Sequence, residues 1–159
     1  MAITPNTTFV TGNVLTATTN MNRLPFGVVG SQTLTTNFPT VATHTTFQDN
    51  GMTLTFTEII GRIYRITAYS NIYPSGGLQG INMRILRGAT SIKQANYATD
   101  VLNAATALPV ALTFVYTSTA SGSATHKVQI QAATNNTVVN DFGDATFPRQ
   151  FVIEDIGLS

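Results

Sequence analysis

Residues 50–72 read NGMTLTFTEIIGRIYRITAYSNI. Met52, Leu54 and Phe56 alternate with Thr53, Thr55 and Thr57. A period of two sends successive side chains to opposite faces of an extended chain, so this stretch is a half-buried strand. Gly61 marks a short break. Tyr64, Ile66 and Ala68 then alternate with Ile63, Arg65 and Thr67. Two alternating runs around a Gly-containing break predict a β-hairpin. Whatever else the chain does, it must cover the apolar face that these two strands present.

The same idiom recurs along the chain. Val28 and Val29 open a strand running toward residues 35–36, with Gln32 and Leu34 on one alternation. Residues 37–50 are rich in loop formers, with a short strand expected around 41–47 and a turn at Asn50-Gly51. Ile81, Met83 and Ile85 alternate with Asn82 and Arg84, and residues 88–91 turn the chain into a weaker run at 92–98. Residues 100–105 fit a helical turn or a loop. Leu108, Val110, Leu112, Phe114 and Tyr116 fall on one face, with Pro109 tolerated near the strand end. Residues 117–124 read as a polar hairpin loop leading to Val128 and Ile130. Phe147, Arg149, Phe151 and Ile153 share one parity of a last strand. About eight strands with turn signals at roughly 8–12-residue spacing predict an all-β, antiparallel β-sandwich of jelly-roll type.

Residues 1–26 differ. Ile3, Phe9, Val10, Val14 and Leu15 are spread among Thr, Asn, Pro and Gly, too sparsely for a core of their own. The expected division is an extended N-terminal arm over residues 1–26 and a β-sandwich over 27–159. Twenty extended residues reach roughly 65–70 Å, enough to cross onto a neighbouring molecule. Phe9, Val14 and Leu15 along the arm, with Leu24, Pro25 and Phe26 at its root, are the expected docking residues.

Composition narrows the function classes. Asp, Glu, Lys and Arg make up only 9% of the chain, against about 25% in ordinary globular domains. A surface so poor in charge keeps poorly in water as a free protomer, which points to burial in an oligomer or larger assembly. The alternative is a secreted β-protein with a Thr/Asn surface. The net charge is +1 and the eight basic residues are scattered, so nucleic acid is not an expected partner. Arg84 and Arg87, near one strand end, are read as solvated or as facing an anionic partner. There is no cysteine, hence no disulfide framework and no thiolate chemistry. The first residues lack the basic and apolar blocks of a signal peptide, and no apolar run reaches the ~20 residues of a membrane helix. Synthesis in the cytoplasm and no membrane contact are expected.

No catalytic constellation emerges. His44 and His126 stand apart in Thr/Ser-rich surroundings, outside any HxH or HExxH spacing, and are read as surface or capping residues. Asp141 and Asp144 lie in a Gly-containing loop, but two carboxylates fall short of the six to eight oxygens that calcium takes, so turn formation is the preferred role. Glu154 and Asp155 are adjacent and point to opposite faces if extended. The GxSxG, GxGxxG and GxxxxGK[ST] patterns are missing. A non-enzymatic protein with no cofactor and no metal is expected. Tyr73, Leu78 and Tyr97 are the candidate partner-binding loop residues, within or near loops at 73–80, 117–124 and 140–144.

Three segments carry a family resemblance. GNVLTATTNMNRLPFGVVG (residues 12–30), LTFTEIIGRIYRITAYS (54–70) and FVIEDIG (151–157) occur in that order and span most of the chain. Together they resemble the β-domains of tailed-bacteriophage virion structural proteins, the group of minor tail, short fibre and capsid-decorating proteins. The resemblance implies a virion protein, made in the host cytoplasm and without an enzyme site. It also implies a self-associating knob, expected as a homotrimer, and a major capsid or other virion protein as partner. The little sequence ahead of the β-domain departs from long tail fibres and favours a capsid decoration or cement protein. A short fibre or spike that binds a host surface receptor is the alternative.

Overall fold

Ten strands form among residues 25–41, 46–75, 80–97, 108–133 and 138–158, the residues that the computed structural model describes. They are β1 (Gly27–Leu34), β2 (Phe38–Val41), β3 (Gln48–Glu58), β4 (Arg62–Ser75), β5 (Ile81–Arg87), β6 (Thr90–Tyr97), β7 (Leu108–Thr117), β8 (Gly122–Ala132), β9 (Val138–Phe142) and β10 (Arg149–Leu158). All pairings are antiparallel. One sheet runs β1-β10-β4-β9-β2 with β7 on the free side of β4, and the other runs β3-β8-β5-β6.

The first sheet is simpler than that order suggests. β10 and β9 lie end to end along one edge of β4, with Gln150 opposite Tyr69 and Phe142 opposite Asn71. β1 and β2 follow them in the same way, with Leu34 opposite Arg149 and Phe38 opposite Asp141. Counting each interrupted pair as one line reduces ten strands to eight. In chain order these lines pair as first-eighth-third-sixth and second-seventh-fourth-fifth. That is the double-sheet wiring of a jelly roll, in which the first and last lines lie side by side.

Alternation decides which face of each strand is buried. Met52, Tyr64, Ile66, Ile81, Met83, Ile85, Val128, Ile130, Phe151 and Ile153 are all sealed between the sheets. Each such side chain contributes about 1.5–3 kcal/mol relative to exposure. On the polar parity, Thr55 and Thr125 face solvent and their hydroxyls meet at 2.8 Å across the β3–β8 pair.

The connections depart from expectation. β3 and β4 do not form a hairpin. β3 pairs with β8 and β4 with β10 and β7, so the break at Gly61 is a corner between sheets. The loop after β7 is likewise a corner and not a hairpin. The two corners are clipped together: Gly61 N–H donates to the Ser118 carbonyl (2.8 Å), and Ser118 N–H to the Arg62 carbonyl (2.9 Å). Asn50-Gly51 is not a turn but an irregularity inside β3, where Gly51 takes a φ of 84°. The short second strand comes earlier than residues 41–47, and Phe147 precedes the last strand instead of joining it. The region expected as a helical turn or loop, 100–105, lies outside the described residues.

Candidate interaction surface

At one end of the sandwich β1 begins, β10 finishes and β3 turns into β4. Phe26, the residue before β1, lies over the Arg62 guanidinium at 3.8 Å. Arg62 is buried and makes a two-pronged ion pair with the equally buried Asp155, through Nε to Oδ2 and Nη2 to Oδ1, the latter at 2.7 Å. Asp155 Oδ1 also accepts from Gly157 N–H (3.0 Å). The root of the N-terminal segment is thus set on a fixed ion pair. A cation–π contact at an exposed site contributes about 0.5–1 kcal/mol. Glu154 and Asp155 do point to opposite faces, since Glu154 meets Arg65 on the outside (2.7 and 3.0 Å).

The outer face of the first sheet carries an apolar area here. Val28, Glu154, Arg65 and Val115 are register neighbours across β1, β10, β4 and β7. Val28 is 60% exposed and Val115 54%. Ile156 and Leu158 continue the area along β10, and Ile59 and Ile60 extend it at the corner. The only charges in the central row, Arg65 and Glu154, neutralise each other. Each holds its partner in the ionised form, lowering the Glu154 pKa and raising that of Arg65.

The outer face of the second sheet is different. Asn96 donates to Asn82 (2.8 Å) and Asn82 to Gln131 (3.1 Å). Arg84 donates to Gln129 (2.8 Å) and stacks on Phe47 (3.9 Å), while Gln129 and Lys127 both donate to Asp49. These side chains satisfy one another in rungs across the strands, so this face is at ease in water.

Beneath the apolar end lies a buried polar centre. Glu58, at the end of β3, is fully buried. Its carboxylate accepts from Tyr116 hydroxyl (2.5 Å), Ser118 hydroxyl (2.6 Å) and Arg87 Nη2 (2.7 Å). His126 Nε2 lies 3.3 Å from the carboxylate and 3.2 Å from the Tyr116 hydroxyl, and its ring stacks on Phe56. Burial pushes the Glu58 carboxyl up, yet the hydrogen bonds from Arg87, Ser118 and Tyr116 outweigh it and hold it below its ordinary range. Burial pushes Tyr116 well up and His126 down. The centre ties β3, β5, β7 and β8 together at one level. It presents no open carboxylate face to a substrate.

A second buried pair sits where the paired lines are interrupted. Asp141 accepts from Asn50 (2.8 Å), Ser70 (3.1 Å) and Arg149 (3.2 Å), and Arg149 also donates to the carbonyls of Asn50 (2.6 Å) and Thr36 (2.8 Å). Here burial prevails and raises the Asp141 pKa. Asp144 caps its own turn, accepting from Thr146 and Phe147 N–H groups.

Of the expected docking residues, Phe9, Val14, Leu15 and Leu24 lie outside the described residues. Pro25 is exposed, and Phe26 is both exposed and seated on Arg62. Tyr73 belongs to β4, opposite Asn140, and not to a loop. Leu78 is outside the described residues. Tyr97 is half-buried against the core and donates to the Ala111 carbonyl (2.6 Å), so it fastens β6 to β7 and is no free rim residue. His126 is not at the surface but sealed in the Glu58 centre, and Arg87 is not a solvated strand end but the cation of that centre. The residues that sequence reasoning missed are Val28, Val115, Ile156 and Leu158. In β7 the sequence holds a hint, since Val115 is apolar on the parity that otherwise holds Ala111, Thr113 and Thr117, but the neighbours that make it a surface come from other strands.

No protein-family model matches the chain, and no curated protein matches it. Among solved structures, one described as "CBM4 structure and function" aligns at TM-score 0.37 and 16% identity, over 65% of this chain and 59% of that one. Dimeric latent PorU from Porphyromonas gingivalis aligns at TM-score 0.42 and 8% identity, over 82% and 14%. The infectious bursal disease virus Gt strain structure aligns at TM-score 0.39 and 9% identity, over 85% and 38%. The chain spans less than two thirds of each of these chains. Likeness at this level carries no argument about what this chain does.

Proposed function

We propose that this chain is a non-enzymatic virion structural protein, a capsid decoration or cement protein of a bacteriophage, held on the particle by residues 1–26. The observation that carries the reading is local. Exposed apolar side chains gather at the end of one sheet where the N-terminal segment joins, and Phe26 roots that segment on the Arg62–Asp155 pair. The sparse charge of the chain and its resemblance to phage virion β-domains support the same reading. An extended segment gains backbone pairing and side-chain pockets from its host surface, as in strand addition. Many copies on one particle multiply weak contacts through effective concentration. The particle partner is a major capsid or other virion protein, and the knob is a homo-oligomer, expected as a trimer.

Deleting residues 2–20 tests the reading. The truncated protein is expected to keep its melting temperature, because the apolar residues of that segment are too sparse for a core of their own, and to lose binding to particles stripped of the protein. Full decoration by the truncated protein would end the proposal. Adsorption of purified protein to susceptible cells, with competition against infection, would instead favour a short tail fibre or spike that binds a host receptor.

A further inference from the structure

We infer that the apolar end of the first sheet's outer face, centred on Val28, Val115, Ile156 and Leu158, is where sister copies of this chain meet. Given the multicopy assembly proposed above, this assigns the contact surface of the knob, and its partner is a second copy of the same chain.

Three observations select that partner. First, the area is one-sided. The outer face of the second sheet is laddered by hydrogen-bonded polar side chains, whereas this end of the first exposes valine and isoleucine. Second, its charge is settled internally. Close to a rotation axis, identical residues of neighbouring copies come near one another, and like charges there repel. Arg65 and Glu154 already neutralise each other across β4 and β10, so the area offers its own copy apolar side chains and a balanced charge couple. An area awaiting an acidic or basic partner would carry an unbalanced charge. Third, long-range repulsion between copies is slight, because the net charge is +1 over 159 residues.

The surface is built for rigid contact. Its side chains stand on four hydrogen-bonded strands, and the corner carrying Ile59 and Ile60 is held by Tyr64 hydroxyl (to Ile59 N–H, 3.0 Å) and by Ser121 (to Ile60 N–H, 2.9 Å). Docking there therefore demands little ordering of the backbone.

Sedimentation equilibrium of the purified full chain tests the assignment without any virus particle, so its result stands apart from that of the particle-binding test. The wild type is expected to sediment above the protomer mass. Val28→Lys combined with Val115→Lys is expected to weaken association by about tenfold or more, with a melting temperature close to that of the wild type at dilutions where both are protomers, because both side chains already face solvent. Gln94→Lys, on the outer face of the second sheet, is expected to associate like the wild type. If the lysine pair does not fold, Val28→Thr with Val115→Thr keeps the β-branched shape and carries the test. A wild type that stays a protomer across the concentration range, or valine variants that associate as strongly as it does, would overturn the assignment.

Discussion

Glu58 and Asp141 are both fully buried carboxylates, and their environments tip them in opposite directions. Three donors hold Glu58 ionised, whereas burial wins at Asp141 despite Arg149. His126 responds to burial as well, with its pKa held below the ordinary 6.5. In the folded protein the ring stays neutral where the unfolded chain would bind a proton. The stability this group contributes is present above about pH 6.5 and is lost as pH falls below it, with a slope of up to ~1.4 kcal/mol per pH unit. The urea midpoint is expected to drop between pH 7.5 and 5.5 at constant m-value. Asp141 works with the opposite sign, since its raised pKa removes stability as pH rises above the ordinary 3.8. Comparison with His126→Gln isolates the histidine: the variant should start lower and lose most of the slope, and an unchanged slope would refute the assignment. None of this was legible in the sequence. Thr/Ser neighbours made His126 look superficial, while the residues that bury it, Phe56 and Tyr116, come from other strands.

At the scale of elements, the alternation in β3, β7, β8 and β10 was readable because one face of each is buried or half-buried along its length. What the alternation does not encode is the partner. A Gly or Ser break reads the same whether the chain reverses within a sheet or crosses to the other, so the corners after β3 and β7 passed for hairpins. Val28 and Val115 were hidden for a related reason, because only register shows that they flank the Glu154–Arg65 couple in one row across four strands. Close approaches were equally invisible. A Cβ on Gly143 would come within 2.9 Å of the Leu34 carbonyl oxygen, 3.0 Å of that of Thr36 and 3.1 Å of Arg149 Nε. Two of these are backbone atoms, and Arg149 is pinned by its own hydrogen bonds. Gly143→Ala is expected to destabilise the fold by about 1–3 kcal/mol through overpacking, read as a lower urea midpoint at constant m-value. A wild-type midpoint would show that the interruption between β9 and β10 yields more easily than its packing implies.

For the whole molecule, the jelly-roll wiring brings Gly27 opposite Asp155 and pairs the first strand with the last in one sheet. That long-range closure explains why the sequence could give the fold class and approximate strand count but not the sheet partners. The same wiring explains the two collinear breaks. β9 and β10 hold one edge of β4 on either side of residues 143–148, whose tip at Ala145, Thr146 and Phe147 is exposed. The flanking pairs anchor both stumps independently, while the Asp141–Arg149 bridge holds the gap at a fixed width. The molecule therefore has a built-in splice point. A foreign epitope grafted between Ala145 and Thr146 should be displayed outward while the strands around it stay in register. The graft gives up the hydrogen bonds that Thr146 and Phe147 N–H donate to Asp144, and beyond that loss each doubling of loop length costs only about 0.6 kcal/mol, which a shifted melting curve would register directly.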